Sequence, residues 1–340
     1  MLSVLRILLF PFSLVYTLVI YVRNKLFDFK VFKSTKHPGV FALTIGNLAI
    51  GGTGKSPMAE YLIRLLAAEY KVAVLSRGYG RKTKGFLYVQ EGSRPEEVGD
   101  EPLQIKRKFP SVLVVVCEDR NEGVRNLKEK VEVILLDDAF QHRRLLPDFS
   151  VLLFEYSSLL RTPLPLPTGS FRDLMGQSRR ADCIMITKCP RSENRDERQK
   201  IEKRVRKYSE APIFYSKIEY RDLISIKKTL LTYEKLHEYN VLLFTGIANP
   251  KPLFQFLYKY VKSLTSIYFP DHHRFLKKDY QKILNSYGKI EERKLIITTE
   301  KDFVRIDKKI FGDLPLYYIP IVIDIENSSK FDELILSEIY

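Results

Sequence analysis

A glycine-rich segment between an apolar run and a helical pattern carries the strongest chemical signal in the chain. Its sequence is Ala49-Ile-Gly-Gly-Thr-Gly-Lys-Ser56, which follows the apolar run Phe41–Asn47 and precedes a helical pattern that begins at Pro57. Glycines in such a turn let backbone N–H groups point at phosphate oxygens, and the amino terminus of the helix adds partial positive charge. The segment is predicted to be a nucleotide-binding P-loop; a glycine-rich turn without a ligand is the alternative.

The predicted P-loop gives its polar members separate tasks. Lys55 is expected to reach the β- and γ-phosphates, and the hydroxyl of Ser56 is expected to bind Mg²⁺. The usual spacing has a first glycine where this chain has Ala49, and Gly46 lies just before it. The predicted nucleotide-binding residues are Gly51, Gly52, Thr53, Gly54, Lys55 and Ser56.

A second apolar run ends in two acids. The run Val133–Leu136 is followed directly by Asp137 and Asp138. P-loop enzymes hold Mg²⁺ with a carboxylate at the end of a neighbouring strand, so this pair is predicted to bind the metal. Acids at a strand end also cap turns, which is the alternative here.

The pattern of the whole chain indicates an α/β fold. Short β-branched runs alternate with helical stretches, as in a parallel sheet that is buried on both faces. The pattern resumes after Asn240 and predicts a second, smaller α/β domain. The expected boundaries are 1–27 for an amino-terminal helix, 28–222 for the P-loop domain and 223–340 for the smaller domain.

The amino-terminal segment Ile7–Val22 carries no formal charge and is flanked by Arg6, Arg23 and Lys25. It is shorter than the roughly 20 residues of a membrane-spanning helix and contains a proline, so an interfacial, membrane-associated helix is predicted. The alternative is a helix that docks on the core of the protein itself.

Composition narrows the classes of partner. The chain has 340 residues, 45% of them hydrophobic, and a formal net charge of +15, which favours an anionic partner. No nucleic-acid-binding module is recognisable, so nucleic acid is not expected. Cys117, Cys183 and Cys189 lack the spacing of metal ligands and predict neither a structural zinc site nor a disulfide.

Several short motifs, in this order and spacing, resemble the tetraacyldisaccharide 4′-kinases of lipid A biosynthesis. They cover nearly the whole chain and follow the apolar amino terminus. The motifs are Thr44-Ile-Gly-Asn-Leu-Ala-Ile-Gly-Gly-Thr-Gly-Lys-Ser-Pro57, Leu75-Ser-Arg-Gly-Tyr-Gly-Arg81, Gly99-Asp-Glu-Pro102, Leu136-Asp-Asp-Ala-Phe-Gln-His142, Asp271-His272 and Thr298-Thr-Glu-Lys-Asp302.

The resemblance implies a P-loop kinase. The reaction would transfer the γ-phosphate of ATP, with Mg²⁺, to the 4′-hydroxyl of a tetraacylated glucosamine disaccharide 1-phosphate. It also implies work at the cytoplasmic face of the bacterial inner membrane, where the net positive charge suits a phosphorylated lipid in an anionic leaflet.

The resemblance also implies roles for residues outside the P-loop. Asp100 matches the catalytic aspartate of the family and is predicted to be the base that takes the hydroxyl proton, and His272 matches its histidine partner. From spacing alone, Asp100 would cap a helix, and the His272 segment would be a surface turn or a chance metal site. The two arginines follow a predicted strand at its carboxyl end, where ligands bind in open α/β sheets; a solvated basic loop is the alternative. The predicted substrate-binding residues are Arg77, Arg81, Gln141 and His142.

Two positions depart from the family pattern. Ala139 stands where the family usually has glycine, which matters only if the backbone there needs a positive φ. Asp173, a predicted metal ligand, stands where the family usually has glutamate, and its side chain is one methylene shorter.

Two other functions remain open from the residues. A nucleotide-switched, peripheral membrane-binding NTPase would use the same P-loop but would hydrolyse nucleotide without modifying a sugar. Phosphorylation of a soluble metabolite is disfavoured by the apolar amino terminus.

Overall fold

The structure is a computed structural model that describes residues 2–192, 194–291 and 293–339, with side chains from Leu9 onward. The side chains of Arg6 and Ile7, at the start of the predicted amino-terminal helix, lie outside the described part. The chain forms two compact units. Unit 1 comprises Met1–Ile218 and Ile323–Tyr340, and unit 2 comprises Glu219–Val322.

Strands and helices alternate along most of the chain. The strands are β1 (Phe41–Asn47), β2 (Val72–Ser76), β3 (Leu87–Tyr88), β4 (Leu113–Val116), β5 (Val133–Leu136), β6 (Phe149–Glu155), β7 (Cys183–Thr187), β8 (Ile213–Tyr220), β9 (Leu223–Ser225), β10 (Leu230–Leu231), β11 (Asn240–Thr245), β12 (Ser263–Tyr268), β13 (Lys294–Thr299), β14 (Leu316–Ile319) and β15 (Ile321–Ile325). The helices are α1 (Leu2–Asp28), α2 (Lys55–Leu66), α3 (Pro95–Val98), α4 (Asp100–Lys108), α5 (Arg120–Leu127), α6 (Tyr156–Leu160), α7 (Arg195–Arg206), α8 (Lys251–Leu257), α9 (Lys277–Gly288), α10 (Glu300–Arg305) and α11 (Ser328–Ser337). Short 3₁₀ helices cover Met175–Arg180, Tyr233–Glu238 and Lys308–Phe311.

The sheet of unit 1 is nine-stranded, in the order β15-β8-β7-β6-β1-β5-β2-β4-β3. Strand β1 lies at its centre and pairs in parallel with β5 and β6. The neighbouring pairs β2 with β5 and β6 with β7 are parallel too, so their carboxyl ends meet at one edge. The central strands are buried along nearly their whole length, as their apolar, β-branched sequences predict. This edge is where ligands bind in open α/β sheets.

Helix α1 packs on unit 1 through one face and leaves the other exposed. Ser13, Asn24 and Phe27 are buried, and the hydroxyl of Ser13 donates to Thr168 Oγ1 at 2.7 Å. On the other face, Phe12 is 65% exposed and Leu18 is 61% exposed. Among the described residues, no helix has the length and apolar character needed to cross a membrane.

Unit 2 is a smaller α/β unit with a six-stranded sheet in the order β10-β9-β14-β13-β11-β12. Its four longer strands run in parallel, and β9 joins them in the antiparallel direction. Buried aromatic rings fill one side of the sheet, with Phe244 next to Phe275 and Phe311. The predicted α/β fold with a second, smaller α/β unit is confirmed.

The carboxyl-terminal boundary differs from the expectation that residues 223–340 form the second domain. Strand β15 is hydrogen-bonded beside β8 in the sheet of unit 1, and α11 belongs to the same unit. The ring of Phe331 is fully buried against Tyr61 and Phe214, and Asp332 accepts a hydrogen bond from the Tyr61 hydroxyl at 2.7 Å. Likewise, residues 1–27 are part of unit 1 because α1 packs on it.

Candidate active site

The glycine-rich segment forms a turn between β1 and α2. Gly54 is the residue before α2 and has φ +86°, and Gly51 has φ +105°, a region that favours glycine. The turn is fixed from two strands, because Asn47 Nδ2 donates to Thr53 Oγ1 at 2.6 Å and Thr187 Oγ1 donates to the Thr53 carbonyl at 2.8 Å. The first-turn N–H groups of α2 lack partners within the helix and are suited to bind an anion.

Gly46, just upstream in β1, is required by close packing. A Cβ at this position would lie 2.4 Å from the Cβ of Phe140 and 3.0 Å from its backbone nitrogen. The segment after β5 therefore packs directly on β1. This packing brings the predicted acid pair to the same edge of the sheet as the P-loop.

Lys55 and the two acids meet at this edge. Lys55 Nζ lies 3.9 Å from Asp138 Oδ2. Asp138 is held in the left-handed region, with φ +47°. The positive φ falls on this residue and Ala139 is not among the described residues with positive φ, so alanine is tolerated where the family usually has glycine.

Asp137 is buried and in an unfavourable electrostatic environment. Its exposure is 5%, and Ser76 Oγ donates to its Oδ2 at 3.2 Å. Burial, with the negative charges of Glu101 and Asp138 nearby, raises the pKa of Asp137 to about 6, and Lys55 acts against this rise. A buried carboxyl group beside two other acids is stabilised when a cation binds.

Asp100 and Ser56 lie on elements that approach this edge. Asp100 is the first residue of α4 and follows Gly99, which has φ +91°. In the next position of α4, Glu101 Oε1 accepts a hydrogen bond from Ser56 Oγ at 3.2 Å. Because Glu101 bonds to Ser56 and is one of the charges that raise the pKa of Asp137, it belongs to the acidic group. The sequence analysis did not single it out.

Arg172 is a further site residue that the sequence analysis missed. Its guanidinium donates to both carboxylate oxygens of Asp138, including a bond from Nη1 to Oδ2 at 3.2 Å, and to the side chain of Asn47. Its backbone N–H donates to the Leu48 carbonyl at 2.8 Å, so its own segment runs along the start of the P-loop. The signal available in the sequence was its place inside a motif next to Asp173.

The contacts of Asp173 differ from those expected of a metal ligand. Its Oδ1 accepts hydrogen bonds from Asn24 Nδ2 on α1 and from the Leu174 N–H, both at 2.8 Å. Among the described residues, no polar contact joins its carboxylate to Lys55, Ser56 or the acid pair. Through the bond to Asn24, this side chain ties α1 to the rest of unit 1.

The predicted substrate-binding arginines have different environments. Arg77 is exposed at the end of β2. The side chain of Arg81 is only 3% exposed, forms an ion pair with Glu118 Oε1 at 2.7 Å and donates to the Gly85 carbonyl at 2.7 Å. Arg81 thus stabilises its own loop, contrary to the expectation of a side chain that faces substrate.

Gln141 and His142 follow the acid pair and are partly buried. Gln141 Nε2 donates to the Asn47 carbonyl, which places this side chain beside the start of the P-loop. Burial, with the nearby guanidinium of Arg120, lowers the pKa of His142. A neutral histidine is therefore expected at physiological pH.

His272 lies in unit 2, on an exposed loop after β12. Its backbone has φ +54°, and its N–H donates to Asp271 Oδ1 at 3.0 Å. Its Nδ1 lies 3.0 Å from Nη2 of Arg305, at the end of α10. The next residue, His273, pairs separately with Asp279, from Nε2 to Oδ2 at 3.0 Å. The described residues contain no group of three or more His, Cys, Asp or Glu side chains suited to hold a metal by themselves.

Comparisons with known proteins agree with the geometry of unit 1. The family model for tetraacyldisaccharide-1-P 4′-kinase matches residues 5–340. The chain belongs to this family. Curated relatives named tetraacyldisaccharide 4′-kinase include one from Flavobacterium psychrophilum, 40% identical over 98% of this chain and 96% of the relative. Another, from Parabacteroides distasonis, is 40% identical over 98% of this chain and 94% of its own length.

A solved structure of the family has the same fold. It is LpxK from Aquifex aeolicus in complex with ATP, with 31% identity, a TM-score of 0.78, and coverage of 99% of this chain and 100% of that one. The family resemblance deduced from the motifs is thus confirmed, and so is the two-unit α/β fold that carries the P-loop.

Proposed function

We propose that this protein transfers the γ-phosphate of ATP to the 4′-hydroxyl of a tetraacylated glucosamine disaccharide 1-phosphate, a step of lipid A biosynthesis. The observation that carries the proposal is the P-loop whose Lys55 faces Asp138 at the edge of the sheet, in a chain of this family. Phosphoryl transfer needs positioning and charge neutralisation more than covalent chemistry, and this arrangement supplies both.

The nucleotide would be held by the P-loop. Backbone N–H groups of Gly51–Gly54 cradle the phosphates, and the ammonium group of Lys55 neutralises the negative charge that develops on the transferred group. The ATP of the Aquifex aeolicus structure supports ATP as the donor.

Magnesium fits the residues at this edge. Mg²⁺ prefers oxygen ligands and binds with one or two carboxylates plus phosphate oxygens, so three acidic side chains on one metal are not required. Asp137, Asp138 and Ser56 would hold it, because burial and the charges of Glu101 and Asp138 raise the pKa of Asp137 and a bound cation would offset this rise. When bound, the ion would neutralise charge on the β- and γ-phosphates.

Asp100 is our candidate for the group that accepts the proton of the attacking hydroxyl. It begins α4, whose next residue Glu101 bonds to the P-loop serine. His272 is proposed as the partner that orients this carboxylate. A histidine that donates a hydrogen bond to a carboxylate orients the carboxylate and leaves it ionised.

The acceptor would be recognised by basic and polar side chains at the same edge. Arg77 is exposed at the end of β2 and is suited to a phosphate, while Gln141 and His142 lie beside the P-loop. Arg172, with its fork on Asp138, is suited to hold the acid pair in position.

Membrane association completes the proposal. The exposed face of α1 carries Phe12, Val15 and Leu18, each more than 60% exposed, on a chain of net charge +15. An apolar face of this kind enters the headgroup region, and basic residues add attraction to anionic lipid. We propose that α1 both packs on unit 1 and rests on the cytoplasmic face of the bacterial inner membrane.

The activity is tested with γ-labelled ATP and tetraacylated disaccharide 1-phosphate in detergent, and with a soluble sugar as the control acceptor. We expect labelled phosphate on the lipid at the 4′ position, dependent on Mg²⁺, and none on the sugar. Hydrolysis of ATP without a phosphorylated lipid would contradict the proposal and favour the nucleotide-switched membrane protein.

The membrane role is tested by Leu18→Asp, with Leu230→Asp as the matched control because Leu230 is 71% exposed in unit 2. Burial of a leucine side chain contributes about 1.5–3 kcal/mol, so Leu18→Asp should weaken binding to anionic vesicles about tenfold or more. The apparent KM for a long-chain lipid should rise while that for ATP stays unchanged. Equal vesicle binding by both variants would show that α1 only packs on the protein.

A further inference from the structure

Arg305 occupies a buried position at the end of α10 and connects three segments of unit 2. Its side chain is 5% exposed. One amino group, Nη1, lies 3.3 Å from Asp302 Oδ1 and 3.2 Å from the Gly246 carbonyl, and the other, Nη2, lies 3.0 Å from His272 Nδ1. The proposed catalytic histidine thus rests on an arginine that is itself anchored to buried groups.

The anchor of Arg305 is rigid. Asp302 is 0% exposed and accepts hydrogen bonds from the Gly246 N–H at 2.9 Å and the Thr299 hydroxyl at 2.6 Å. A Cβ on Gly246 would lie 3.0 Å from Asp302 Oδ1, so the loop after β11 packs tightly against this carboxylate. The guanidinium therefore has its direction fixed before it meets the histidine.

The chemistry of arginine determines which ring nitrogen of His272 carries the proton. A guanidinium has only N–H donors and keeps its proton in proteins. A hydrogen bond at 3.0 Å between Nη2 and Nδ1 therefore requires Nδ1 to be the acceptor. This hydrogen bond leaves Nε2 as the nitrogen that carries the ring proton.

We propose that Arg305 is a positioning residue that holds His272 in the Nε2–H tautomer. This inference rests on the proposed function of His272 as the partner of a catalytic carboxylate. With the proton on Nε2, the ring offers a donor on the edge that faces away from Arg305. The opposite tautomer would offer a lone pair to a carboxylate, and the two would repel.

The backbone of the loop supports the same orientation. His272 adopts φ +54°, and its N–H is held by Asp271 Oδ1 at 3.0 Å. A left-handed conformation is uncommon for a residue with a side chain and is kept where the surroundings enforce it. The hydrogen bond at Nδ1 orients the ring, and the hydrogen bond at the backbone N–H holds the loop that carries it.

The tautomer is measured by nitrogen-15 NMR of the full-length protein labelled in histidine, in detergent, near neutral pH. Two-bond proton–nitrogen correlations distinguish an imidazole protonated at Nε2 from one protonated at Nδ1. The signal of His272 is assigned as the one missing in His272→Gln, since the chain has 5 histidines. We expect the Nε2–H pattern in the wild type.

Two substitutions separate positioning from mere stabilisation. Arg305→Met removes the donor and should produce a mixture of tautomers and lower kcat about tenfold, with the KM for ATP unchanged. Arg305→Lys keeps a donor-only cation and should restore the Nε2–H pattern and at least part of kcat. Lys227→Met is the matched control, because it removes an exposed ion pair with Asp313 in the same unit and should alter neither quantity.

The outcomes distinguish this inference from the proposed function. A proton on Nδ1 in the wild type, or an unchanged Nε2–H pattern in Arg305→Met, would overturn the role of Arg305. If His272→Gln leaves kcat unchanged while the tautomer responds to Arg305→Met as expected, Arg305 fixes the ring but His272 is not the partner of the carboxylate. A loss of kcat in Arg305→Met that Arg305→Lys does not restore in part would indicate a structural role only.

Discussion

Each unit contains an aspartate that is almost fully buried, and the two have opposite surroundings. Asp302 of unit 2 accepts hydrogen bonds from a backbone N–H and a hydroxyl and pairs with Arg305. Among the described residues, the carboxylate of Asp137 in unit 1 accepts a hydrogen bond only from Ser76. Burial raises the pKa of both carboxyl groups, but for Asp137 the neighbouring acids raise it further.

The different surroundings of Asp302 and Asp137 distinguish a carboxylate with a structural role from one suited to bind a ligand. A buried charge with its partners supplied by the chain, as at Asp302, keeps loops in place. A buried charge with two other acids close by, as at Asp137, costs stability unless a cation binds. Such a cost is typical of a functional site.

The largest effect on turnover is expected when the ammonium group of Lys55 is removed from the site in unit 1. Lys55→Ala should lower kcat by roughly a hundredfold or more, because preorganised contacts to the transferred phosphate contribute about 3 kcal/mol or more. Circular dichroism should show an intact fold. Near wild-type turnover by the folded variant would mean that the buried acids are not part of a phosphate site.

The next effect tests whether the two units contribute to one reaction. Asp100→Ala should lower kcat about a hundredfold and His272→Ala about tenfold, with little change in the KM for ATP. If the two residues act together, the double variant should lose much less than the product of the single losses. Asp271→Asn retains an acceptor for the His272 N–H and serves as the control for the loop. Multiplicative losses would show that the residues act independently.

The sequence predicted the site residues of unit 1 that are consecutive in the chain, but few of those that come together from distant segments. The P-loop could be deduced because its glycines, its lysine and its serine are consecutive and act mainly through the backbone. Arg172, Glu101 and Arg305 could not be deduced, because their contacts depend on how separate loops pack. The ligand role of Asp173 stays a prediction, because its Oδ1 bonds to Asn24 while Arg172, the preceding residue, bonds to Asp138.

The carboxyl-terminal boundary was missed for a related reason. The last strand and helix resemble those of unit 2 in their pattern, and only tertiary pairing decides which sheet they join. β15 lies beside β8, and Phe331 fills a space next to Tyr61. Periodicity predicts that such elements exist but does not give their partners.

A smaller effect, on the free energy of unfolding, is expected when Asp302 of unit 2, whose carboxylate has its hydrogen-bond partners within the fold, is changed. Asp302→Asn should lower the free energy of unfolding by about 2–3 kcal/mol, because its amide NH₂ meets donors and Arg305 loses its counter-charge. Calorimetry measures this change. Asp313→Asn is the control, since the side chain of Asp313 is 95% exposed and its ion pair should contribute about 0.5 kcal/mol or less. Equal effects of the two would contradict the structural role of Asp302.

The smallest expected change in the free energy of unfolding is a gain in stability, and it comes from Asp137→Asn. The pKa of this carboxyl group rises from 3.8 to about 6 on folding, so the folded state without ligand binds the proton more tightly than the unfolded chain. As pH rises through this interval, the folded protein must ionise a buried acid, and the free energy of unfolding falls. Above about pH 6 the penalty is complete. The amide avoids it and can still accept the hydrogen bond from Ser76.

We therefore expect Asp137→Asn to stabilise the ligand-free protein at pH 7.5 by about 1–2 kcal/mol, while phosphate transfer is lost. The gain should shrink as pH falls from 6 towards 4 and vanish near pH 4, where the wild-type carboxyl group is protonated in both states. Thermal unfolding of both proteins across this range measures it, and Glu210→Gln, an exposed position, is the control. ATP with Mg²⁺ should narrow the difference by stabilising only the wild type. A variant that is less stable than the wild type at pH 7.5 would show that Asp137, like Asp302, is already compensated by the fold.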